Sequence, residues 1–352
     1  MADYLRVAVL SLETWDDVWR RNQHLAARLV RSRAVTELEF FTPPEPGLAL
    51  RSSRRVPEPG IVVRTPPLVV PRRYGGHRLI GTWLRRRLRN VDVLWVNDPV
   101  AGVSALRDGV PVIYDVTDDW RSMYQDATSR SRIVVAEDVL AERADATVVC
   151  SAVLATRWRQ RYGIAAAWIP NGVDVDAIRA ARPRQLDGAG PHVVYIGTVH
   201  ANRVDIDLVA ELAAAGMANV HLVGPDGLTA AERAKLVALG VRVHGAVPAA
   251  DVPSWLVAAD VLICPHLVDD FTLSLDAIKA HEYLATDRPV VATPSSGFQN
   301  LTADGLSVAP RDGFVAAVSQ AVGSGPFARP APASWAERAA AFADVLHKAA
   351  RR

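Results

Sequence analysis

Lys279 and Glu282 stand three residues apart in DAIKAHEYLATDRPVVATP (276–294), just ahead of the apolar run PVVAT. Three residues make one helical turn. An ammonium and a carboxylate so placed either pair on a solvated helix face, worth roughly 0.3 kcal/mol, or point together into a site. The helix is expected to begin near Ser274 to Asp276. Its positive dipole end and the lysine then suit a diphosphate, while the glutamate suits the two hydroxyls of a ribose. A phosphate alone would give the glutamate nothing to do.

Other chemistry-bearing groups follow short apolar runs. After RVAVL, the stretch SLETWDDVWRRNQHLAARLV gathers Trp15, Asp16, Trp19, Arg20 and Asn22 at the start of a helical segment, as either a polar helix face or a small-molecule contact. DVTDDW carries Asp115, Asp118 and Asp119, three acids that could bind a metal, cap a helix or act on a sugar hydroxyl. YIGTVHANRVDIDLV sets Gly197 and Thr198 in a turn running into a helix, with Arg203 able to add a charge-assisted bond to an anion. HLVGPDG supplies a second strand-end glycine turn at Gly224 and Pro225. PNGVD (170–174) reads first as a turn, since Asn and Gly both tolerate positive φ.

The elements that must position these groups alternate. Apolar runs at 5–10, 37–41, 92–97, 111–115, 145–150 and 166–170, then at 192–197, 219–224, 241–245, 260–264 and 289–293, read as strands separated by helical segments. That pattern predicts an α/β protein with two Rossmann-like, doubly wound parallel sheets. The expected domains are 1–182 and 190–330, with a seam in ARPRQLDGAGP (181–191) and a helical tail over 331–352 returning to the first domain. Ligands of such sheets bind beyond the carboxyl ends of the strands, where every candidate above lies.

Composition agrees. Of 352 residues half are hydrophobic and 22% charged, which suits a globular chain long enough for two cores. No signal-peptide pattern opens the sequence, and no apolar run approaches the ~18 residues of a spanning helix. Cys150 and Cys264 close separate apolar runs with no metal or disulfide spacing, so a reduced, cytoplasmic setting is expected. The net charge of +2 is unevenly spread: from Pro59 to Val91 there is no acid but eight arginines. The segment RRYGGHRLIGTWLRRRLR (72–89) is either a solvated basic helix or a surface for anionic lipid or an anionic acceptor, with Leu79, Ile80, Trp83, Leu84 and Leu88 as its apolar side. The second reading would make the protein peripheral to the inner face of a membrane. Nucleic acid is not expected as a partner, and nothing in the sequence fixes an oligomeric state.

Taken in order, TWDDVWRRNQHLAARL, VIYDVTDDW, EDVLAERADATVVCSAVLATRW, IPNGVD, YIGTVHANRVDIDLVAELA, HLVGP and IKAHEYLATDRPVVATP resemble the GT-B-fold glycosyltransferases, above all the retaining family 4. The resemblance implies two Rossmann-like domains facing across a cleft, a donor site in the second domain and an acceptor site in the first. It implies a hexosyl transfer from a UDP- or GDP-type sugar to a glycan, lipid-linked or natural-product acceptor, with retention and with neither metal nor cofactor. Glu282 matches the second glutamate of the family's E-x7-E signature and would bind the ribose. Gly197, Thr198, Arg203 and Lys279 would meet the diphosphate, and Gly224 and Pro225 the base. Pro170, Asn171 and Gly172 match the interdomain turn. Asp118 or Asp115 falls at the catalytic position, and Trp15, Asp16, Trp19, Arg20 and Asn22 would contact the acceptor. The chain departs from the pattern at Ser274, which stands where the first glutamate of the signature meets the donor sugar. Two other activities fit the same fold: a nucleotide-sugar 2-epimerase, and a non-catalytic transferase-like partner.

Overall fold

The structure, a computed structural model, describes residues 4–45, 47–70, 76–123 and 127–351, with side chains except at 76–78. It divides into two compact units, Met1–Pro170 with Trp335–Arg352, and Asn171–Ser334.

The first unit is built on eight strands: β1 (Arg6–Leu10), β2 (Glu37–Phe41), β3 (Ser53–Glu58), β4 (Ile61–Thr65), β5 (Val93–Val96), β6 (Val112–Val116), β7 (Ala146–Val149) and β8 (Ala167–Trp168). They lie in the order β3-β4-β2-β1-β5-β6-β7-β8. All neighbours are parallel except β3 and β4, which form an antiparallel hairpin at the edge. The central strands are buried and mostly apolar because helices cover both faces. The hairpin escapes that pattern: SRRVPE lies exposed, charged and interrupted by Pro57, as edge strands tend to be. The final helix, Trp335–Ala350, belongs to this unit. Its Phe342 packs 4.5 Å from Trp95 of β5, and Trp335 stacks flat on His24 of the helix Arg21–Arg31, also at 4.5 Å.

The second unit holds β9 (His192–Ile196), β10 (Asn219–Val223), β11 (Arg242–Gly245), β12 (Val261–Cys264), β13 (Val290–Ala292) and β14 (Leu306–Val308), all parallel, in the order β11-β10-β9-β12-β13-β14. The chain runs outward from β9 through β10 to β11, then returns to place β12 on the other side of β9. The crevice between the ends of β9 and β12 is therefore this sheet's topological switch point, where an open α/β sheet binds its ligand.

The division falls after Pro170, not within 181–191. The short helix Val175–Ala180 buries Ile178 against Trp255 and Leu256 of the second unit. The Arg184 guanidinium lies 3.8 Å over the Trp255 ring, and the Arg184 backbone N–H donates to the Ser254 carbonyl. Proline and charge in this stretch mark a surface strap rather than a linker. The expected helix at 276–285 is also later and shorter. A separate turn of helix, Asp270–Ser274, is capped by Asp269, and the helix bearing Lys279 starts only at Ile278 and ends at Leu284.

Candidate active site: the β9–β12 switch point

Gly197 ends β9 at φ +144°, and a Cβ there would sit 2.8 Å from Cε and Nζ of Lys279. Gly224 ends β10 at φ +140°, where a Cβ would meet the Gly197 carbonyl at 2.2 Å. Two strand-end backbones thus touch with no side chain between them, and Lys279 lies across the first. The Thr198 carbonyl accepts from the Tyr195 hydroxyl at 3.0 Å, and the Pro225 carbonyl accepts from Val199 N–H at 2.8 Å, so the two turns are braced from within.

The charges gathered here have no ion-pair partners among the described residues. Lys279 is half-buried, its ammonium 4.9 Å over the Tyr195 ring and 3.4 Å from His266 Nε2, with no ion pair among the described residues. Withdrawal from water lowers its pKa, Arg203 lowers it further, and Cys264 and Glu282 oppose the fall. Arg203 lies over Phe271 at 5.6 Å, and its Nε is buried without a hydrogen-bond partner. Glu282 is half-buried too and makes no hydrogen bond or ion pair among the described residues. Burial lifts its carboxyl to about 7, against the pull of Lys279 and His281. Two cations and an acid are thus held half-buried without an ion pair among the described residues, an arrangement more common at ligand sites than in structural cores.

Around them the loops are fixed by side chains that sequence reading left out. Asp276, at the head of the Lys279 helix, accepts the backbone N–H of Asn171 at 2.5 Å, and its carbonyl takes the Asn171 side-chain amide. His281 Nε2 lies 3.0 Å from the other Asp276 oxygen. The Asn-Gly turn is thereby tied to the donor helix. Ser274 is fully buried and donates to the Phe271 carbonyl at 2.6 Å within its own short helix, so it presents no atom to solvent. His266, directly after β12, is the largest omission. A lone histidine after a strand end carries no spacing signal, and only its place in CPH, beside the other strand-end turns, could have flagged it.

In the first unit the acids separate. Asp115 is fully buried, where Arg21 grips it with Nε at 3.3 Å and Nη2 at 3.2 Å and Trp95 Nε1 donates at 3.2 Å. That arrangement corrects its assignment to catalysis: it is a core ion pair. Asp119, 5% exposed, pairs with Arg157. Asp118 alone is half-buried, accepting from the Thr117 hydroxyl at 3.1 Å. The acceptor candidates also divide. Trp15 is 5% exposed and packs edge-on against Phe40, and Asn22 is buried in a network with Ser11 and Asn97. Both are core residues, which removes them as ligand contacts. Asp16 and Arg20 form a partly exposed cluster with Glu13, and Trp19 lies half-buried beside His24. In the Arg-rich segment, residues 72–75 fall outside the described residues. Of its expected apolar side, Leu84 and Leu88 are buried in the first unit's core, while Arg85, Arg86, Arg87 and Arg89 are exposed. No group of three or more His, Cys, Asp or Glu residues suited to a metal occurs among the described residues.

Residues 190–324 match the family described as glycosyl transferases group 1, and residues 18–177 match glycosyltransferase family 4. A search of curated protein sequences gave no match. Among solved structures, a sucrose-phosphate synthase from Thermosynechococcus elongatus is 15% identical, with 99% of this chain and 96% of that one covered and a TM-score of 0.73. HepE from Anabaena, in complex with UDP-glucose, is 14% identical over 99% and 98%, with a TM-score of 0.65. An alpha,alpha-trehalose-phosphate synthase (UDP-forming) from Burkholderia vietnamiensis is 11% identical over 99% and 93%, with a TM-score of 0.63. The two sheets and these likenesses define the GT-B fold. The chain belongs to the glycosyltransferases, with a family 4 first half and a group 1 second half. No helix among the described residues is long and apolar enough to cross a membrane.

Proposed function

We propose that the second unit binds a nucleoside-diphosphate sugar and that the enzyme moves its glycosyl group, with retention, to a hydroxyl of a glycan, lipid-linked or natural-product acceptor. The observation that carries this reading is the unpaired set Arg203, Lys279 and Glu282 around the Gly197 turn. The two cations suit the diphosphate, and their charge counts most as the leaving group gains negative charge in the transition state. Glu282 accepts from the ribose hydroxyls, and the turn at Gly224 and Pro225 is assigned to the base. Uridine is the first base to test, because HepE was solved with UDP-glucose. Asp118 is the acid assigned to the reacting sugar, and Asp16, Trp19 and Arg20 are the acceptor contacts.

A thermal-shift panel of nucleoside diphosphates tests the donor site. UDP or GDP should raise the apparent Tm, by an amount equivalent to about 2.7 kcal/mol at a hundredfold excess over Kd. Lys279→Ala and Glu282→Ala should each weaken binding about tenfold or more, the size of a lost bond to a charged group. Unchanged binding in both variants would remove the donor site from this helix. Incubation with a UDP-sugar and no acceptor separates the chemistries, since accumulation of an isomer would replace transfer by 2-epimerisation.

A further inference from the structure

His266 touches every element that supplies a charge to the donor pocket. Its Nδ1 lies 2.6 Å from Ser296 Oγ, and its Nε2 lies 3.1 Å from the Tyr195 hydroxyl and 3.4 Å from Lys279 Nζ. Its carbonyl accepts from Thr293 Oγ1 at 2.6 Å. The flanking backbone is clamped to the Arg203 segment: Asp205 N–H donates to the Pro265 carbonyl at 2.8 Å, and Leu267 N–H donates to the Arg203 carbonyl at 2.7 Å. Ser296 is held at φ 56°, a conformation that non-glycine residues seldom adopt. It persists because Ser296 N–H donates to the Thr272 carbonyl at 2.8 Å and the Ser296 carbonyl accepts from Ala277 N–H at 3.1 Å.

The hydrogen positions follow from the partners. An ammonium has only hydrogens to offer, so a bond from Lys279 makes Nε2 the acceptor and places the ring proton on Nδ1, donating to Ser296; the Tyr195 hydroxyl, which gives its hydrogen to the Thr198 carbonyl, then abuts Nε2 without a hydrogen bond to it. The imidazole is 2% exposed, and burial together with Lys279 and Arg203 holds it well below its usual pKa, hence neutral. A carboxylate here would also fix the lysine but would cancel its charge. A neutral acceptor fixes it and leaves the charge whole.

We infer that His266 is a positioning residue for the donor: through its Nε2 it aims the Lys279 ammonium at the diphosphate without neutralising it, with Ser296 locking the required tautomer. This rests on the donor-site reading above.

The test is calorimetric titration of UDP and GDP into the wild-type enzyme, His266→Leu, His266→Gln and Ser296→Ala, each with and without Lys279→Ala. His266→Leu should weaken diphosphate binding about tenfold. His266→Gln, which restores an acceptor, should recover most of the loss. With Lys279→Ala present, none of the three should weaken binding further. Should His266→Leu not fold, Ser296→Ala carries the same cycle with an expected loss of about threefold. Equal losses with and without Lys279, or no loss, would overturn the inference while leaving the donor site standing. Absence of any diphosphate binding by the wild type would overturn the donor site itself, and this inference with it.

Discussion

Glu282, proposed to hold the ribose, shows what burying a carboxyl asks of the fold. Its carboxyl titrates at about 7 rather than at its ordinary 4.5, because burial opposes its charge. The folded form therefore holds this proton more tightly than the unfolded chain does. The stability it contributes is full below pH 4.5 and lost as pH rises through 7. Discounted for its partial exposure, the loss is about 2 kcal/mol. Urea unfolding of the wild type and Glu282→Gln should show the variant gaining most at pH 8 and least at pH 4.5, whereas a constant difference would contradict the shift. At this scale the sequence singled out Lys279, Glu282 and Arg203 by their types and placement, and said less about which polar groups face solvent. Asp115 and Asp118 stand three residues apart, the first in β6 and the second just beyond it, and only the third dimension shows that Arg21, from a distant helix, pairs with Asp115. His266 and Asp276 work through contacts across 30 and 105 residues, which no local pattern encodes.

Strands were most legible where both faces are buried. VVYI and VLIC announce themselves as apolar runs, but β3 reads as a polar loop and β14 has only three residues. Three neighbouring strands also carry an unexpected device. His192, His221 and His244 stand side by side on β9, β10 and β11, with ring nitrogens 3.1 and 3.0 Å apart. His221 is fully buried, and its pKa falls to about 4, chiefly through burial, then through His244, His192 and Arg242, with Asp187 opposing. Around His244 the pull downward comes from burial and then Arg184, and Trp255 packs 4.5 Å away. Here the unfolded chain binds the proton more tightly. Stability is present above pH 6.5 and lost as pH falls toward 4, by about 3 kcal/mol. His221→Leu should flatten the acid limb of the second unit's unfolding curve between those values, as followed by circular dichroism. An unchanged slope would show that the three rings do not titrate with folding.

The whole chain is two units, but only the second is continuous. The first is completed by Trp335–Ala350, whose Phe342 is fully buried against Trp95. The two crossings run side by side, Val173 N–H donating to the Ala333 carbonyl at 3.2 Å. The sequence foretold this return as a helical tail over 331–352, while the first crossing comes earlier than the expected seam, ahead of the short helix Val175–Ala180. Phe342→Ala should cost the first unit about 4 kcal/mol and leave the second unit's melting unchanged. Domain-resolved hydrogen exchange would detect the difference, and equal loss in both units would contradict it. The arrangement also sets an order of assembly. Domains usually fold as they leave the ribosome, N-terminal first. Here all of the second unit is synthesised between the two pieces of the first, so the part made earliest waits with an open apolar groove while the part made later can already be finished.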